Sequence, residues 1–368
     1  MRVVKLVEIS ELKTGPFGTQ FSANEYVIDG IPVINVKNIG YGNIIETGMG
    51  YVGQSTVERL SDHRLQEGDI VFGRKGSVDR HCLITKVQDG WMQGSDCIRV
   101  RITDSSVLPS FVSYYLLTDA VKAKINNSAV GSTMASLNTD ILGDIEINLP
   151  TYEEQCKIAN ILSSIDSKIE NNNEINDYLE QKLRLLYEHM MSNVQTGGVT
   201  GHNTIASALT DIITGKEDAN FASPAGKYKF FTCSNDTLRC DKYVFNASSI
   251  LIAGNGDFNV KHYTGRFNAY QRTYVLMPGR KYYGLLYLAS LYQINSFKST
   301  SAGSIVKFIT KGDIENIPVF IPDNEEVLSK INHLLMLQEQ YQVENDELAA
   351  LRDWLLPMLM NGQATIED

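Results

Sequence analysis

The chain has 368 residues, is 43% hydrophobic and 21% charged, and carries a formal net charge of −10. That balance suits a folded chain of about two domains and excludes an intrinsically disordered one. The opening MRVVKLVEIS has no apolar signal core, and no apolar run reaches the ~18 residues a membrane helix needs. Neither export nor membrane insertion is therefore expected, and the cytoplasm is the expected location.

Residues 4–15, VKLVEISELKTG, read as a short apolar element stopped by Gly15. A polar loop from Pro16 to Asn24 follows, then a strand-like run at 31–36 and an Asn-bearing turn at Asn38. Residues 68–76, GDIVFGRKG, form a buried β-run that ends in a Gly-flanked turn. Another strand is expected at 98–102 and a helix at 111–125. The Ser-rich turn Gly131-Ser132-Thr133 then leads to the phrase Gly143-Asp144-Ile145-Glu146 and to Pro150.

A long helix is expected at 152–191. Glu153 and Glu154 stand where a helix N-terminus favours negative charge, and no Gly or Pro interrupts the stretch from there to Met191. Ile158, Leu162, Ile165, Ile169, Asn172, Asn176, Leu179 and Leu183 recur at alternating steps of four and three, continued by Leu186 and Met190. This is the seam of a coiled coil, broken by two Asn whose expected role is to fix register. At about 1.5 Å per residue such a helix spans roughly 60 Å and needs a partner helix to be stable.

The second half repeats the first. Leu12-Lys13-Thr14-Gly15 matches Ile212-Ile213-Thr214-Gly215, and 228–232 is strand-like, with an Asn turn at Ser234-Asn235. Ser249 to Gly256, SILIAGNG, parallels the Gly68 run; a strand at 273–277 and a helix at 283–294 come next. A turn at Gly303-Ser304, the phrase Gly312-Asp313-Ile314-Glu315 and Pro322 precede a second long helix beginning near Glu325-Glu326. A repeat of this kind decides the architecture. Boundaries are expected at 1–150, 151–192, a linker at 193–200, 201–322, 323–361 and a tail at 362–368.

Charge divides along the same boundaries. Residues 151–192 and 323–368 carry −4 and −8, whereas 1–150 and 200–322 carry −3 and +5. The globular parts are thus free to meet a polyanion, while the helices offer an acidic face. The five Cys (82, 97, 156, 233, 240) have no metal-ligand spacing and are expected as reduced thiols; no metal site is expected. The turns GRKG and AGNG lack the GxxxxGK[ST] phosphate-loop pattern, and no methyltransferase, zinc-hydrolase or serine-hydrolase signature is present. The chain therefore reads as a binding protein and not as an enzyme.

Two variable units, each followed by a long helix, with GDIE-x-x-LP-x-x-EEQ-x-KIA-x-IL-x-x-ID-x-KI at the first junction and LLPMLMNGQ near the end, resemble the specificity subunit of type I restriction–modification systems. The second helix keeps Glu325-Glu326 but lacks the Gln-x-x-Ile-Ala phrase. The resemblance implies an α+β fold: two tandem α/β target recognition domains, with the helices forming an antiparallel coiled coil of pseudo-two-fold symmetry. It implies that the pair reads a bipartite, asymmetric site in double-stranded DNA. It also implies docking of two methyltransferase (M) subunits and of restriction (R) subunits, with no membrane partner. No cofactor is expected on this chain; S-adenosylmethionine would sit in the methyltransferase, and ATP and Mg2+ in the nuclease.

No motif marks the DNA-reading residues. From residue chemistry they are expected among Thr19, Gln20, Lys37, Asn38, Arg74, Lys75 and Arg80 in the first unit. In the second they are expected among Lys227, Lys229, Asn235, Asn255, Lys261, Arg266 and Arg272. Arg, Asn and Gln suit bidentate base contacts, and Lys suits phosphates. Two other readings remain open: a stand-alone restriction enzyme on the same recognition architecture, which cleavage with Mg2+ alone would favour, and a coiled-coil scaffold without a DNA role.

Overall fold

The structure is a computed structural model that describes residues 2–129, 136–300 and 308–364; the turns at 131–133 and 303–304 lie outside the described residues. It divides into two compact units. Unit 1 is Met1–Lys168 with Glu347–Asp368, and unit 2 is Ile169–Asp346.

In unit 1, strand Arg2–Lys5 pairs antiparallel with Glu146–Leu149, just ahead of the first long helix. A five-stranded sheet carries strands Ser10–Thr14, Cys97–Ile102, Ile70–Gly73, His81–Leu83 and Tyr41–Gly42 in that order. Ile70–Gly73 is buried along its whole length, as its unbroken apolar run predicts for a central strand. One side of the unit's core joins Ile70, Phe72, Ile98 and Val100 to Phe111, Val112 and Leu116. The other joins Val71, Cys82 and Cys97 to Ile34, Ile39 and Leu65. A second sheet of short strands, Tyr26–Val27, Gly50–Val52, Ile31–Ile34 and Met92–Gln93, lies beyond the first. The helix expected at 111–125 is two helices, Pro109–Leu116 and Asp119–Ser128. Thr118 separates them: its backbone is extended and its hydroxyl donates to the Tyr115 carbonyl at 2.8 Å, closing the first helix.

In unit 2, strand Gly201–Ile205 pairs antiparallel with Pro318–Pro322, again just ahead of a long helix. A six-stranded sheet carries Ile212–Thr214, Thr273–Leu276, Phe245–Ala253, Val260–Ala269, Tyr228–Phe231 and Leu238–Cys240 in order. Helix Tyr283–Thr300 packs Leu285, Leu286 and Leu288 with Ile250, Ile252 and Leu276 of that sheet. The repeated Gly15 and Gly215 have a steric reason. A Cβ on either would lie 2.0 Å from a backbone oxygen, that of Gly94 or of Ala269, so only glycine permits the approach.

The long helices are Tyr152–Gln195, 44 residues, and Glu325–Met360, 36 residues. The first begins in a capping box. Thr151 N and Oγ1 donate to Glu154 Oε2 at 2.9 and 2.8 Å, and Glu154 N returns to Thr151 Oγ1 at 3.4 Å. In unit 1, Ile158, Ala159 and Leu162 join the core together with Leu356, Leu359 and Met360 of the second helix. Each large apolar side chain of this kind contributes about 1.5–3 kcal/mol by burial. In unit 2, Leu183, Tyr187 and Met190 do the same with Leu328, Ile331 and Leu335. Of the other seam residues, Ile165 is buried and Ile169, Asn176 and Leu179 are half-buried.

Within unit 2 the helices run antiparallel through a belt of amides. Asn172 Nδ2 donates to Glu344 Oε2 at 2.8 Å and to Asn345 Oδ1 at 2.9 Å, and Asn345 Nδ2 donates to Asn173 Oδ1 at 2.8 Å. Further along, Gln338 Nε2 donates to the Asn176 carbonyl at 3.1 Å. Asn172 is fully buried. A buried, hydrogen-bonded amide in an apolar seam penalises every register that would leave it unpaired.

Candidate nucleic-acid interface

The strand order of unit 1 gathers its polar loops at one end of the five-stranded sheet. Thr14 pairs with Ile98, Gly73 with Cys97, Phe72 with His81 and Tyr41 with His81. The loops that leave or enter these residues therefore lie side by side. They carry Gln20, Lys37, Arg74, Lys75 and Arg80. Thr19 belongs to the short 3-10 turn Gly18–Gln20, and its side chain lies outside the described residues.

The turn after Gly73 is shaped by glycine. Gly76 adopts φ 80°, and a Cβ at Gly73 would press to 3.1 Å on Val36 Cγ1. Arg74 donates its backbone N–H to the Asp96 carbonyl at 2.8 Å, and its guanidinium lies 4.6 Å from the centroid of the Phe17 ring. Lys75 is paired with Asp96 at 3.1 Å. The Arg80 guanidinium lies 5.2 Å from the Tyr41 ring centroid. Gln20 and Lys37 lie toward the surface, and a cleft lined by Phe21, Tyr26, Asn35, Lys37, Ser95 and Asp96 opens beside them. Burial raises the Tyr26 hydroxyl above its ordinary pKa, and it donates to Asn35 Oδ1 at 3.1 Å. Asn38 is a correction to the expected set. It is fully buried, its amide donates to the Ile45 and Thr47 carbonyls, and its Oδ1 accepts from Asn35 N at 3.3 Å. It holds a turn and cannot reach a base.

In unit 2 the candidates fall into two groups. Gly254 N donates to the Arg272 carbonyl at 2.9 Å, and Cys233 Sγ approaches the same carbonyl at 3.4 Å. Asn259 Nδ2 donates to the Cys233 carbonyl at 3.0 Å. These bonds bring the turns bearing Asn235, Asn255 and Arg272 together. The second group lies at the start of strand Tyr228–Phe231, beside its parallel partner Val260–Ala269. Lys227 lies over Tyr228, Arg266 over Tyr243, and the two tyrosine rings are 4.9 Å apart. Two lysines are corrections. Lys229 is paired with Asp346 of the second long helix at 2.7 Å, and Lys261 donates to the Ser234 carbonyl at 2.6 Å. Burial holds the Lys261 ammonium below its ordinary pKa. Lys229 thus has its charge paired inside the unit, and Lys261 braces the Ser234 turn.

Sequence reading missed the aromatic partners Phe17, Tyr41, Tyr228 and Tyr243. The basic–aromatic neighbours Lys227-Tyr228 were the one visible sign, since the other pairs meet only through the fold.

Clusters that resemble catalytic sites have structural roles. Glu339 Oε1 accepts from the Tyr283 hydroxyl at 2.7 Å and lies 3.0 Å from His262 Nδ1, which ties a sheet strand to the second long helix. Burial pushes the Cys82 thiol up, and the Cys97 thiol up to about 12, so both stay protonated. Among the described residues no group of three or more His, Cys, Asp or Glu is placed to hold a metal ion. No helix among them is long and apolar enough to cross a membrane.

Two α+β units, each presenting polar loops on a sheet and each followed by a long helix, define a duplicated recognition protein. The model of the family described as "Type I restriction modification DNA specificity domain" matches residues 1–181 and again 207–342, and the chain belongs to that family. It is similar to the specificity subunit of type I restriction enzyme EcoDI from Escherichia coli, 37% identical over 166 residues, which are 43% of this chain and 37% of that protein. It is also similar to the MjaIX specificity subunit of Methanocaldococcus jannaschii, 23% identical over 414 aligned residues covering 100% of this chain and 94% of that protein. The match to EcoDI thus spans little more than a third of that relative's length. Among solved structures, the type I restriction–modification S subunit from M. genitalium has a TM-score of 0.62 at 20% identity, covering 97% of this chain and 95% of that one. At that identity the likeness shows the fold alone.

Proposed function

We propose that this chain is the sequence-reading subunit of a type I restriction–modification complex. Each unit reads one half of a bipartite, asymmetric site in double-stranded DNA. Methyltransferase and nuclease subunits dock on the chain and perform the chemistry. The observation that carries the reading is the loop cluster at one end of the unit 1 sheet, rich in cations and amides and held by a fully buried strand. Arg74 and Arg80 there have no carboxylate partner among the described residues, and phosphate and base edges are the natural counterparts of such groups. Docking is supported by exposed apolar side chains on otherwise acidic helices: Tyr178 and Leu185 in unit 2, Leu351 and Trp354 in unit 1. The chain itself holds no cofactor in this reading. S-adenosylmethionine belongs to the methyltransferase, and ATP with Mg2+ to the nuclease.

The test is modularity. Residues 201–322 are replaced by the corresponding segment of a relative, and the chain is expressed with its methyltransferase. Methylation mapping is expected to show one half-site changed and the other kept. A change in both halves, or no bipartite site in the parent complex, refutes the reading.

A further inference from the structure

We propose that Arg74 and Arg80 are guanine-reading residues of unit 1, so that the half-site it recognises contains guanine at the positions they meet. The inference rests on unit 1 being a DNA reader and goes beyond it by naming the base and the side chains.

Both arginines lie in the single connection between strands Ile70–Gly73 and His81–Leu83, at the loop end of the sheet. Each guanidinium lies over an aromatic ring, Phe17 for Arg74 and Tyr41 for Arg80. Contact of this kind holds the guanidinium against the ring. Each has its Nε buried with no hydrogen-bond partner among the described residues, so the donors left to meet a ligand are the two terminal nitrogens. Neither makes an ion pair among the described residues. Five other arginines of the unit do: Arg2 with Asp104, Arg59 with Glu25, Arg99 with Glu11, Arg101 with Asp69 and Arg352 with Asp166.

An arginine held against a ring, half-desolvated and without a counter-charge is unfavourable until a matching acceptor arrives. An arginine fork can grip phosphate as well as a base edge, whereas a lysine serves phosphate as a point charge from many directions. The neighbouring Lys37 reaches the surface beside the cleft and is suited to that task. A fork offering two parallel N–H donors matches the N7 and O6 acceptors of guanine in the major groove. The proposal thus gives the lysine to the backbone and the two arginines to base edges, and the experiment below separates the two roles.

The experiment uses the chain in complex with its methyltransferase subunits. Unit 1's half-site is the one that survives replacement of residues 201–322. Arg74→Lys and Arg80→Lys keep the charge and remove the fork. Each is expected to relax one guanine in that half by about tenfold or more and to leave the other half unchanged. Placing 7-deazaguanine at the relaxed position removes N7; it is expected to weaken the unaltered complex about tenfold and the Lys variant little. An unchanged methylation motif overturns the proposal. So does an even loss of affinity across sequences in Arg74→Ala and Arg80→Ala with a salt slope lower by about one, which marks a phosphate contact. A complex that marks no bipartite site sinks the underlying reading instead.

Discussion

His81 makes unit 1 sensitive to acid, and the size of the effect follows from its surroundings. The side chain is fully buried beside Phe72, with ring centroids 5.0 Å apart. Its Nε2 lies 3.1 Å from the Ser113 carbonyl and 3.0 Å from the Ser113 hydroxyl, while Nδ1 is buried without a partner among the described residues. Burial lowers its pKa from 6.5 to about 4. The unfolded chain takes up the proton near pH 6.5 and the folded one does not until about pH 4. The stabilisation is therefore complete above pH 6.5 and is lost as pH falls toward 4, at about 1.4 kcal/mol per pH unit and about 3 kcal/mol in all. That is a large fraction of the usual stability of a domain, about 5–15 kcal/mol. Both tryptophans, Trp91 and Trp354, belong to unit 1, so tryptophan fluorescence during urea unfolding follows this unit. His81→Gln removes the titration and keeps an amide near Ser113. It is expected to be less stable than the parent by about 1 kcal/mol at pH 7.5 and more stable at pH 4.5. His63, whose pKa burial also lowers, is present in both chains and drops out of the difference. Parallel stability curves for the two chains from pH 7.5 to 4.5 refute the reasoning.

Two more predictions concern the frame. Asp69 is buried and accepts from Arg101 Nε and Nη2 at 2.7 Å each and from Gln66 N at 2.8 Å. Asp69→Ala leaves the guanidinium uncompensated and is expected to cost about 3 kcal/mol in the same urea assay; a loss below ~1 kcal/mol shows that the pair contributes little. Four residues inserted beside Asn173 lengthen the first long helix by about 6 Å and displace its amides from those of the second. The single insertion is expected to impair methylation. A matching insertion beside Asn345 is expected to restore it with a half-site gap one or two base pairs longer, at about 3.4 Å per pair. An unchanged gap with full activity shows that the helices do not set the spacing.

The fold was legible where local chemistry is repeated. The long helix could be read from its 3.5-residue period and from Glu153-Glu154; Glu154 closes the capping box with Thr151. The Thr-Gly pairs 14–15 and 214–215 recur because both glycines pass a backbone oxygen at a distance no Cβ permits. The second sheet of unit 1 could not be read. Its strands run two to four residues, as in Tyr26–Val27 and Met92–Gln93, too short to show a period of two. The parallel pairing of Tyr228–Phe231 with Val260–Ala269 is set by contacts far apart in sequence and leaves no local sign.

The candidate site was legible as a set of loops and illegible as a set of free groups. Arg74 and Lys75 stood out because glycines flank them at the end of an apolar run. Nothing local separates Arg74, which stacks on Phe17, from Lys75, which Asp96 neutralises, or Lys227, over Tyr228, from Lys229, which Asp346 holds. Ion pairing is decided by partners that only the fold supplies. The repeat sharpens the contrast between frame and loops. The residues shared by the two halves, such as Gly15 and Gly215, serve the backbone, whereas the loop ends diverge: the position of Arg74 after Gly73 is taken by Asn255 after Gly254. A guanidinium fork suits guanine and a carboxamide suits adenine. If these turns read DNA as proposed, unlike side chains at equivalent places are expected to select unlike half-sites, and exchanging Arg74 for Asn is expected to move the preference of its half-site from guanine toward adenine in the methylation motif.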